Sequence, residues 1–192
     1  MDAEKTGTKP EAPNDANWPP APNFAPPDQM TRRSLFGKFS FVPAPTPGNP
    51  EAIRITDAWV SKNMVSVEIP QLQNVGAKPV RNSVFFHRKG TEQLKCLFQA
   101  WEEAGLLNLV KTWGGSYAPR FIRGSQSILS NHAFGTAFDI NVQWNPLGQI
   151  PALSDKEGSV RKLVPIAHEY GFFWGGHFPR RDGMHFELAR LL

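Results

Sequence analysis

The chain has 192 residues, a net charge of +4 and one cysteine: room for one substantial domain but not two, and no internal disulfide. Cys96 also has no Cys or His at ligand spacing, which sets aside a thiolate metal site. No apolar run approaches the roughly 18 residues of a membrane span, and Met1-Asp2-Ala3-Glu4-Lys5 lacks the basic-then-apolar order of a signal peptide.

Eleven of the eighteen prolines fall in the first fifty residues. Each removes a backbone donor and turns its neighbour away from helix. Residues 1–50 are therefore expected to be a proline-rich arm, largely extended or disordered, with the globular domain at 51–192. Within the arm, Leu35, Phe36, Phe39 and Phe41 are apolar enough to pack across that domain as a strap. The same fifty residues balance five acids against five bases, so the positive charge belongs to the domain. That charge suits an anionic partner, but the basic residues are scattered and no nucleic-acid-reading motif is present.

Met64–Pro70 alternates Val65, Val67 and Ile69 against polar neighbours, which predicts a half-buried strand ending at proline. Ser83–Arg88 is a second strand, with His87 a surface or packed residue. Thr91 opens the clearest helix, to about Gly105: Leu94, Leu97, Phe98 and Trp101 form a buried stripe, and Thr91 is available as N-cap. Glu102 and Glu103 lie beside that stripe and read as a solvated face.

Glycine, serine and proline break the chain over 113–125 and place Arg120 and Arg123 on a loop or strand end. Gln143–Gly148 reads as a turn-rich loop, a candidate substrate wall. Ser159–Tyr170 has helical spacing, with Pro165 either kinking the helix or opening a shorter one. His168 on that segment needs no functional explanation. Phe172–Gly176 reads as a buried strand entering a tight turn, and Met184–Leu188 as a short final strand.

Two stretches carry chemistry: Ser130–Asn141, with His132 and Asp139, and Asp182–Glu187, with His185 between two acids. Imidazole and carboxylate suit zinc, and a catalytic zinc takes three protein ligands, a set His132, Asp139 and His185 would supply. His132 and Asp139 are seven apart, so a regular strand would point them to opposite faces. Gly135 is free to take the positive φ that bends the backbone between them. For a general base, Asp182 sits on a turn able to present its carboxylate, while Glu187 shares a strand face with His185 and would either act as base or hold the imidazole.

The motif Ser130-Asn131-His132-Ala133-Phe134-Gly135-Thr136-Ala137-Phe138-Asp139, followed by Trp174-Gly175-Gly176 and Asp182-Gly183-Met184-His185-Phe186-Glu187, resembles the M15 zinc peptidases. That family groups D-Ala-D-Ala carboxypeptidases with L-alanyl-D-glutamate endopeptidases, including bacteriophage endolysins. The resemblance spans roughly residues 51–192. It implies an α+β fold of the LAS/hedgehog-like kind, a small antiparallel sheet flanked by helices with the zinc site on the sheet.

By the same resemblance, His132, Asp139 and His185 are the Zn2+ ligands and Asp182 the catalytic base. Arg120 or Arg123 polarises the scissile carbonyl, Arg120 being the better match, and Ser130 and Trp174 contact substrate. The implied partner is the peptidoglycan stem peptide, not nucleic acid and not a membrane interior, and the implied state is a monomer. The Trp-Gly-Gly and His-Phe-Glu details favour the endolysin-like L-Ala-D-Glu endopeptidases. A D-Ala-D-Ala carboxypeptidase, or a wall-binding module without catalysis, is the alternative. The place of action would be the bacterial wall or periplasm, reached by assisted release from the cytoplasm or as a mature or truncated exported form.

Overall fold

The computed structural model describes residues 17–75 and 82–192; the expectation for residues 1–16 of the arm lies outside the described residues. In chain order the elements are helix α1 (Gln29–Phe36), strands β1 (Phe41–Pro43) and β2 (Ile53–Ile55), helix α2 (Trp59–Asn63) and strands β3 (Met64–Glu68) and β4 (Ser83–His87). Helix α3 (Thr91–Glu103), strands β5 (Trp113–Gly115) and β6 (Ala137–Ile140), helix α4 (Val164–Glu169) and strands β7 (Phe172–Trp174) and β8 (His185–Leu188) complete the chain. β1 pairs with β2 and β3 with β4, while β5-β6-β8-β7 form one four-stranded sheet; every pairing is antiparallel. The architecture is α+β with small antiparallel sheets. Among the described residues no helix is long and apolar enough to cross a membrane.

The four-stranded sheet divides the labour between its faces. Successive strand residues point to opposite sides. Phe138 and Ile140 of β6 and Phe186 and Leu188 of β8 turn one way and are fully buried; Ala137, Asp139, His185 and Glu187 turn the other. The apolar face receives α3, whose Leu94, Leu97, Phe98 and Trp101 are also fully buried. Phe138 stacks on Phe186 with ring centroids 5.4 Å apart, and Phe98 and Trp101 meet those rings at 5.8 and 5.9 Å. Truncating any of these rings to alanine would cost about 3–5 kcal/mol. The Trp101 indole N–H also donates to Leu163 O at 3.0 Å, tying α3 to the segment that leads into α4.

Three expectations are resolved by the structure. Thr91 does not cap α3: a 3-10 turn over Arg88–Gly90 runs into the helix, and Thr91 Oγ1 donates to Arg88 O instead of receiving a helix amide. Pro165 opens a short α4 and does not kink a long helix, because proline is at home in a first turn, where its missing N–H is an orphan anyway. In the arm, Leu35, Phe36, Phe39 and Phe41 pack on the core as the expected strap, and a helix precedes them that the sequence reading did not name. Asp28 accepts the Thr31 N–H at 2.7 Å and starts α1, whose Arg32 and Phe36 are buried against the rest of the chain. The proline-free run after Pro27 can form a helix, so the packed unit begins well before Glu51.

Candidate metal centre and cleft

A short 3-10 turn, Asn131–Phe134, brings His132 to the sheet. Ser130 caps it, its hydroxyl oxygen accepting the His132 N–H at 3.2 Å. Gly135 ends it in the left-handed region at φ 61°, after which β6 begins. This bend offsets the odd seven-residue interval and lets His132 and Asp139 meet. Asp139 and His185 then need no further device, because they are direct cross-strand partners in the β6–β8 pairing.

Three atoms converge. His132 Nε2 lies 3.2 Å from Asp139 Oδ1 and 3.1 Å from His185 Nδ1, and His185 Nδ1 lies 3.1 Å from Asp139 Oδ1. The opposite ring nitrogens are already committed: His132 Nδ1 donates to Ser116 O at 2.9 Å and His185 Nε2 to Glu187 Oε2 at 2.9 Å. A carbonyl and a carboxylate only accept, so these bonds fix the tautomers and leave lone pairs on the two facing nitrogens. Two lone pairs and a carboxylate oxygen pointed at one another repel unless a cation or proton sits among them. With metal–ligand distances of about 2.0–2.1 Å, a tetrahedral zinc has ligand edges of about 3.3 Å, close to the observed triangle. The residues fit a zinc ion in both donor chemistry and spacing.

Electrostatics point the same way. Burial pushes the Asp139 carboxyl up, but the imidazoles of His132 and His185 outweigh it and hold it far below the usual carboxylate range. Burial pushes His185 down, but the carboxylates of Asp139 and Glu187 reverse this and raise it to about 10 in the metal-free protein. Glu187 is held in turn by His185, by the Asn131 side chain and by the charge of Arg32, so its carboxyl stays below its ordinary value despite burial. It is fully engaged in orienting His185.

Asp182 is different. One of its carboxylate oxygens is buried without a hydrogen-bond partner, and burial, with a smaller contribution from the nearby Asp139 charge, raises its pKa. The turn that carries it is packed closely: Asp182 N–H donates to Gly175 O at 2.9 Å, and a Cβ at Gly175 would come within 2.5 Å of Asp182 O. A carboxylate with a raised pKa and a free oxygen beside three metal-ligand atoms is equipped to take and return a proton.

The centre lies in a cleft of about 610 Å³ lined by Ser130, Asp139, Asp182, His185 and Glu187, with Ile122, Ile128, Leu147 and Phe178 as apolar walls. Leu147 comes from the loop read as a substrate wall. Arg120 and Arg123 both reach the cleft. Arg123 spends its charge on Glu51 Oε2 at 2.6 Å and donates to Asn49 as well. Among the described residues the Arg120 side chain makes one hydrogen bond, to Phe121 O, and it feels the charges of Asp139 and Asp182. Its backbone carbonyl accepts the Ser130 N–H, which places it beside the turn that carries His132.

Trp174 is a correction. It is fully buried and does not line the cleft. Its indole N–H donates to Gly183 O at 2.8 Å, so it braces the Asp182–Gly183 turn from behind. His87 is buried, its ring nitrogen bonded to Phe36 O. Sequence reasoning missed Arg32 and Pro26, which line the cleft from the N-terminal side; the Pro-Asp start signal ahead of α1 was the one clue to that helix.

Residues 123–188 match a family model described as D-alanyl-D-alanine carboxypeptidase, of the M15 peptidases. The match spans about a third of the chain, less than the 51–192 of the resemblance, and contains His132, Asp139, Asp182, His185 and Glu187 but not Arg32, Ser116 or Arg120. No curated protein and no solved structure gives a significant match. Over residues 123–188, with the histidines and acids that build the centre, the chain is similar to the M15 peptidases.

Proposed function

We propose that the protein is a zinc-dependent peptidase that hydrolyses an amide bond in the peptidoglycan stem peptide, on a sheet of the LAS/hedgehog-like kind. The observation that carries this reading is the convergence of two tautomer-fixed imidazoles and Asp139 beside the unpartnered oxygen of Asp182. Zinc held by His132, Asp139 and His185 would lower the pKa of a bound water from 15.7 to about 7 and polarise a carbonyl.

The chain's own residues supply the rest. Asp182 accepts the proton of the attacking water and hands it to the leaving amine. Arg120 donates to the carbonyl oxygen as negative charge develops there. Glu187 and Ser116 O hold the two imidazoles in register, and Ser130, in the cleft wall, keeps a hydroxyl proton to donate. Two bonds are open to this machinery. The endolysin-like details favour L-Ala-D-Glu, and the matched family description names D-Ala-D-Ala. Action on this polymer would place the protein at the cell wall.

The test is lysis of purified peptidoglycan with the protein as prepared, stripped by chelator and reloaded with zinc, the released fragments being read by mass spectrometry. Loss on stripping and recovery with zinc are expected, and the fragment masses name the bond. Undiminished hydrolysis by His132→Ala would sink the proposal.

A further inference from the structure

Arg180 is a cleft residue for which the mechanism above has no use. It stands two residues before Asp182, on the turn that follows Gly175–His177, and it is exposed. Its Nη1 donates to Arg123 O at 3.1 Å, so the side chain reaches from the Asp182 turn to the 120–125 loop. That single bond leaves most of its five N–H donors free. Among the described residues it forms no ion pair, whereas Arg123 is paired with Glu51. Among the described residues three cleft arginines lack a carboxylate partner; Arg32 is buried and bonded to Leu129 O and Pro27 O, which leaves Arg120, beside the His132 turn, and Arg180, two residues ahead of Asp182 on the same turn. The cleft walls beside them, Ile122, Ile128, Leu147 and Phe178, are apolar.

The position of Arg180 identifies its anion. Asp182 delivers a proton to the leaving amine, so the residue bearing that amine lies on the Asp182 side. Building on the peptidase reading, we infer that Arg180 is a specificity residue that takes the α-carboxylate of the residue on the leaving-amine side of the scissile bond. Both candidate bonds satisfy this. A terminal D-Ala carries its α-carboxylate, and D-Glu, joined onward through its side-chain carboxyl, keeps its own free. A guanidinium reads a carboxylate through two parallel N–H bonds, a geometry that an amide does not match. The site would thus tell a free carboxylate from an amidated one.

The experiment uses two substrate pairs, each a carboxylate and its amide: an N-acyl-D-Ala-D-Ala with its terminal carboxamide, and an N-acyl-L-Ala-D-Glu with its D-isoglutamine form. On the pair that is cleaved, the zinc-loaded protein is expected to favour the carboxylate by about tenfold or more in kcat/KM, the worth of one charge-assisted contact. Arg180→Gln should bring that ratio near one, chiefly by raising KM for the carboxylate, and Arg180→Lys should restore part of it. Equal rates on acid and amide, or a preference that survives Arg180→Gln, would overturn the inference while leaving the peptidase reading standing. Failure to cleave any of the four by a protein that binds zinc would remove that reading and this inference with it.

Discussion

Glu187 and Asp139 grip one imidazole from its two ends, and that arrangement makes the metal-free centre sensitive to pH. His185 is raised to about 10 by these carboxylates, against an unfolded value near 6.5. A raised pKa means that the folded state holds the proton more tightly, so this stabilisation is fully present below pH 6.5 and is lost as pH rises through about 10. The urea midpoint of chelator-stripped protein should fall across that window. His185→Gln should show a smaller fall, and zinc, which displaces the proton, should flatten it. A midpoint that rises with pH in the stripped protein would contradict the pairing. The Asp182 carboxyl is raised as well, chiefly by burial. It works as a base only when ionised, so activity should fall on the acid side as Asp182 takes up its proton, and burial shifts that uptake toward higher pH. Asp182→Asn should lower kcat by about 10²–10⁴ while bound zinc, counted by mass spectrometry of the metal, stays at the wild-type level.

At the scale of elements, the site depends on a bend and a register. Gly135 provides the bend at φ 61°, and a Cβ there would run into the Met64 methyl. Gly135→Ala is expected to cost about 2 kcal/mol or more, from the left-handed conformation and the crowding together, as measured by urea unfolding, and to weaken zinc binding by moving His132 away from Asp139. The bend was legible in the sequence because an odd spacing of two like-minded ligands demands one. The register was not. That Asp139 stands opposite His185 is a pairing of residues 46 apart, and nothing local specifies it. The same limit explains the arginines and the tryptophan: the Glu51 contact that occupies Arg123 spans 72 residues, and all of β7 is buried, so nothing local says that Trp174 braces the Asp182 turn and does not face the cleft. Strands β3, β4, β7 and β8 and the stripe of α3 were legible because their patterns are local, whereas the three-residue strands β1, β2 and β5 are too short to show a period.

For the whole molecule, the question is where the working unit begins. Proline density set the boundary at Glu51, yet Phe36 is 2 % exposed, and its carbonyl accepts the Trp59 indole N–H at 3.0 Å and bonds the His87 ring at 3.2 Å. Arg32 donates to Leu129 O at 2.8 Å, and Gln29 Oε1 accepts Leu129 N–H at 3.2 Å. Helix α1 thus grips both sides of the residue that precedes Ser130, and through Arg32 it also bears on Glu187. The family match, at 123–188, leaves this helix out. Phe36→Ala should cost about 3–5 kcal/mol, a large part of the 5–15 kcal/mol typical of a domain, and a chain cut back to residues 51–192 should lose both cooperative unfolding and zinc affinity. The measurement is urea unfolding, with zinc affinity by chelator competition, on the full chain, the Phe36 variant and the shortened chain. If the 51–192 chain unfolded at the same midpoint and bound zinc as tightly, the arm would be an appendage. Loss of both would make α1 part of the domain and of its centre.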